Sequence, residues 1–118
     1  GRSGADLGSV WGWACRADYA HVMRPVLHEN VTSAARALLL VRADRRQALC
    51  KRFVAQADMA EAYVQQTGRL HAAYGNGTLM AAARSYPLAD EPTFDDPEYC
   101  HCVVTVLMAL IDHGDDAA

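Results

Sequence analysis

Cys102-Val103-Val104-Thr105-Val106-Leu107-Met108-Ala109-Leu110-Ile111 is the stretch whose reading decides the fold. Wound as a helix, it carries apolar side chains in nearly every direction, and a helix that is greasy all round is buried. Asp96-Pro97-Glu98 just upstream supplies an N-cap, a first-turn proline and a first-turn acid. His113 and Gly114 supply an ending. The β-branched run from Val103 to Val106 would also suit a buried strand. The cap and the length of the run favour the helix. The expectation is an all-α fold, a small bundle of four main helices plus a possible N-terminal helix, packed around a buried C-terminal helix at 97–112. Leu107 then belongs to the core, and Leu107→Ala should cost ~2–5 kcal/mol.

Working outward, 118 residues make one domain, long enough to bury roughly two thirds of its unfolded surface. A hydrophobic content of 52% against 21% charged argues against disorder. The net charge of −3 sets up no global field toward nucleic acid or an anionic membrane. The C-terminal apolar run is about half the ~20 residues needed to span a bilayer, so no membrane association is expected. Four cysteines, Cys15, Cys50, Cys100 and Cys102, accompany no visible signal peptide. Free thiols in a cytoplasmic protein are therefore expected.

Residues 1–22 differ in kind from the rest. Glycines recur, and both tryptophans, Trp11 and Trp13, fall here. Met23-Arg24-Pro25-Val26-Leu27 reads like a natural beginning. Residues 1–22 are expected to be either a non-native extension or an arm docked by its tryptophans, with 23–118 forming a single helical domain. Asn30 or Thr32 can cap a first helix with the stripe Val31, Ala34, Ala35, Leu38 and Leu39, ending near Val41. Asp44 can cap a second, built on Leu49, Phe53, Ala57, Ala60 and Val64 and closed by Gly68. Its exposed face puts bases before acids, against the helix dipole. Asn76 or Thr78 caps a short helix at 79–83, and Pro87 ends it. Residues 88–95 form a wrapping loop.

Met23-Arg24-Pro25-Val26-Leu27-His28, together with His71-Ala72-Ala73-Tyr74-Gly75-Asn76-Gly77-Thr78-Leu79-Met80-Ala81-Ala82, resembles a small bacterial family of unknown function. The resemblance spans about residues 23–112. It implies a helical fold, a start at Met23 and no established activity, so it assigns no residue a role.

Chemistry has few places to reside. Cys100-His101-Cys102 invites a metal reading, but helical positions two apart point ~200° away from each other, so the two thiols cannot share one ion. No metal and no cofactor is implied. Cys50 beside a histidine is the one conceivable nucleophile, yet no strained elbow accompanies it. The chain is expected not to be an enzyme. Gly75-Asn76-Gly77-Thr78 ahead of a helix can turn backbone N–H groups toward a small anion, with Arg69 and His71 adding charge. No lysine follows as in a P-loop, and a plain turn with a cap explains the same residues. Gly77 is expected to hold a positive φ there. The bases Arg42, Arg45, Arg46, Lys51 and Arg52 could face nucleic acid, but the negative total charge and the lack of a helix-turn-helix spacing favour a solvated helix face. The favoured function is a helical module that binds a protein or itself, since aromatics such as Trp11, Trp13, Tyr63, Tyr86 and Phe94 exceed what a small core requires. The alternative is a nucleic-acid-associated protein using the basic face of the second helix.

Overall fold

The computed structural model describes residues 23–117. They form helices α1 (His28–Leu39), α2 (Ala43–Thr67), α3 (Leu79–Ala83) and α4 (Pro97–Ala117). No strand occurs among the described residues; a single antiparallel bridge joins His71 to Gly75. The fold is all-α. Residues 1–22, including Trp11, Trp13, Cys15 and the possible N-terminal helix, lie outside the described residues.

Local chemistry accounts for most of the boundaries. α2 ends at Gly68, whose N–H still closes a helical turn on the Val64 carbonyl while its left-handed φ of 70° turns the chain out of the helix. α3 opens on Thr78, whose hydroxyl accepts the Ala81 N–H. α4 opens on Asp96, whose Oδ1 accepts the N–H groups of Glu98 and Tyr99.

Three ends differ from expectation. Asn30 and Thr32 lie inside α1, whose N-cap position is Leu27 with no side-chain cap. Asn30 is buried and its Oδ1 accepts the Met80 N–H at 2.9 Å, so it satisfies α3 instead of its own helix. Asp44 sits in the first turn of α2, with Arg42 at the cap position and paired to it at 3.1 Å. α4 runs past His113 and Gly114 to Ala117. One helical glycine costs only ~1 kcal/mol, and His113 is held against α2, where its Nε2 lies 3.1 Å from Asp58 Oδ2.

α1 is the hub. It packs against α2, α3 and α4, while α2 also packs against α3 and α4. Ala34, Ala35, Ala37 and Leu38 are buried along it, and short side chains let three neighbours approach one helix. Phe53 from α2, Leu79 from α3, and Tyr99 and Val106 from α4 fill the centre. The Phe53 and Tyr86 rings meet edge-on, 5.0 Å between centroids.

The C-terminal stretch therefore needs correction. α4 is not buried all round. It buries one stripe, Tyr99, Cys102, Val106 and Ala109, against α1 and α2. Leu107, expected in the core, is 45% exposed. Among the described residues, α4 packs mainly against α1 and α2, so its far side is left to solvent.

Candidate interaction face

At ~100° per residue, the buried stripe of α4 and the set Val104, Leu107, Met108 and Ile111 point in roughly opposite directions. The second set follows the i, i+3, i+4, i+7 spacing of a helix-packing seam. It faces solvent, with Val104 53%, Met108 53% and Ile111 57% exposed. Scattered apolar residues on a surface are ordinary, but a row of four on one helix is a continuous patch. Beside it runs a groove of about 750 Å³ between α4 and the first half of α2. Ala43, Gln47 and Lys51 form one wall, and His101, Val104, Thr105 and Met108 the other. Asp112 closes the far end. All four residues of the row fall within the apolar run 102–111. Their spacing, separate from that of Tyr99, Cys102, Val106 and Ala109, was the signal that distinguished two faces.

The basic set is divided by the fold. Arg46 is buried; its Nε donates to the carbonyls of Leu38 at 2.8 Å and Val41 at 2.9 Å, and its guanidinium meets Glu98 at 2.8 Å. A cation at the end of α1 meets the negative end of that helix dipole. The base that looked misplaced on α2 thus serves α1 and α4. Arg42 is paired with Asp44. Arg45, Lys51 and Arg52 are exposed, with Arg45 and Arg52 lining a hollow apart from the groove that Lys51 borders.

The glycine turn is brought together as a knot. Gly75 and Gly77 have φ of 84° and 92°. Asn76 Oδ1 accepts the Thr78 N–H at 3.1 Å and its hydroxyl at 2.7 Å. His71 Nδ1 accepts the N–H groups of Ala73 and Tyr74, and its ring stacks on Tyr74 with centroids 4.8 Å apart. Arg69 is exposed. The first-turn N–H groups of Met80 and Ala81 are taken by Asn30 and Thr78. The Gly77 carbonyl accepts the Arg24 N–H, while the Arg24 side chain meets Glu61 at 3.2 Å. These donors tie the loop to α1 and α2.

Cys50, Cys100 and Cys102 are free thiols. Burial pushes the Cys50 thiol up to about 12, and burial also raises Cys102. A thiol so placed is a poor nucleophile near neutral pH. Among the described residues, no three of His, Cys, Asp and Glu converge as a metal set, and no helix is long and apolar enough to cross a membrane.

What the described residues define is a small all-α fold with an apolar face of α4 turned to solvent. The family model for a domain of unknown function (DUF7742) matches residues 24–110, and the chain belongs to that family. No curated protein and no solved structure matches it.

Proposed function

We propose that this domain is a non-enzymatic protein-interaction module that docks through the exposed face of α4. The observation that carries the reading is the row Val104, Leu107, Met108 and Ile111 beside an open groove. Apolar side chains so arranged gain free energy when a partner removes them from water, at roughly 25 cal/mol per Å². The buried thiols and internally bonded turn support a binding role over a catalytic one. The nucleic-acid alternative draws on Arg45, Lys51 and Arg52, since Arg46 is committed to carbonyls and Glu98.

A photo-crosslinking residue at position 107, in cells that make the protein, tests the docking face. Adducts to protein are expected from 107 and not from 52. A silent 107 refutes the docking face. Filter binding of nucleic acid at two salt concentrations tests the alternative, which requires a steep loss of binding as salt rises.

A further inference from the structure

We infer that the occupant of the α4 face is a second copy of this chain, its α4 laid antiparallel about a two-fold axis between Leu107 and Met108. The inference rests on α4 being a docking face and names what docks. Spacing comes first. Val104 precedes Leu107 by three residues and Ile111 follows Met108 by three, so the row is symmetric about its midpoint. A two-fold contact requires a patch complementary to itself. Antiparallel pairing sets Val104 against the second copy's Ile111. Leu107 and Met108 flank the axis, each beside its own counterpart.

Charge selects the direction. His101 is exposed at one end of the row, and Asp112 and Asp115 are exposed at the other. Antiparallel helices bring His101 level with the second copy's Asp112 and Asp115. Parallel helices would instead set Asp112 and Asp115 beside their own counterparts, and like-charge juxtaposition is unfavourable. Area sets the strength. Four half-exposed side chains offer on the order of 400 Å² per copy, roughly half the ~800 Å² of a standard interface. Pairing is therefore weak, with dissociation in the micromolar range or above.

Sedimentation equilibrium of the full chain, from about 1 μM to 1 mM, reads the association directly. A reversible monomer–dimer equilibrium is expected, and Met108→Glu, with unchanged helicity, should weaken it by about tenfold or more because a carboxylate enters an apolar contact. Direction is read by oxidation of single cysteines in a Cys15→Ser, Cys100→Ser background, where Cys50 and Cys102 remain buried. Leu107→Cys should form a disulfide dimer. Ile111→Cys should not, because antiparallel pairing separates the two copies of that position by ~10 Å along the axis. Crosslinking at both positions means parallel helices and overturns the proposal. A chain that stays monomeric at 1 mM overturns it as well. If residue 107 then crosslinks only to other proteins, the docking face stands without the dimer; if it crosslinks to nothing, both fall.

Discussion

An alanine methyl at Gly77 would have to enter space held by Glu61, because a Cβ there lies 2.8 Å from the Glu61 Cβ and 2.9 Å from its Cα. The φ of 92° adds a separate steric cost of ~1–2 kcal/mol for any side chain. Gly68 provides the comparison, since its φ is 70° but nothing lies within 4 Å of an added Cβ. Gly77→Ala should therefore lower stability in urea melts by more than Gly68→Ala, which meets the φ cost alone. Equal losses would mean that the loop can lift off α2 without penalty. The cysteines give a second residue-scale expectation. Cys100 is half-buried, whereas Cys50 and Cys102 are fully enclosed. Of these three thiols, iodoacetamide should modify Cys100 first in the native protein, with Cys50 and Cys102 reacting only on unfolding. Mass spectrometry of peptides from a timed reaction checks the order.

α4 shows how far the element scale was legible. Its cap, proline and first-turn acid were readable because they act within a few residues of one another. Its environment was not, because the number of neighbours a helix has depends on where the other helices go. Two adjacent residues test the corrected placement. Val106 is fully buried, and truncation to alanine should cost ~1–3 kcal/mol. Leu107→Ala should cost under ~1 kcal/mol in dilute solution, as is usual at the surface. Thermal melts giving the reverse order would return α4 to the centre of the bundle. Arg46 was illegible for the same reason. A base in the first turn of α2 reads as part of a wet patch until the end of α1 is known to lie within reach. Asn30 likewise reads as its own helix's cap, although its partner is Met80. Which first-turn N–H groups the glycine turn leaves open is set by side chains as distant as Asn30, which lies far from the turn in sequence.

Asp58 gathers three separate parts of the whole molecule. Its Oδ1 accepts the Met23 N–H at 2.6 Å, and its Oδ2 lies 3.1 Å from His113 Nε2 in the last turns of α4. Lys51, Asp112 and Asp115 line the same hollow of about 520 Å³. Burial raises the Asp58 carboxyl above its ordinary 3.8, and the Met23 N–H and His113 oppose this without cancelling it. The folded state therefore holds this proton more tightly than the unfolded chain. Protonation at Asp58 thus adds stability that is fully present below 3.8, and this gain is lost as pH rises through the folded-state value. Asp58→Asn keeps an oxygen for the Met23 N–H and removes the charge. Urea melts of parent and variant across the acidic range should show the variant gaining on the parent as pH rises from 3.8, then running parallel once Asp58 is ionised. A variant that loses ground over that interval would mean that the His113 and Met23 contacts outweigh burial, and that this corner of the fold is held by the charge itself.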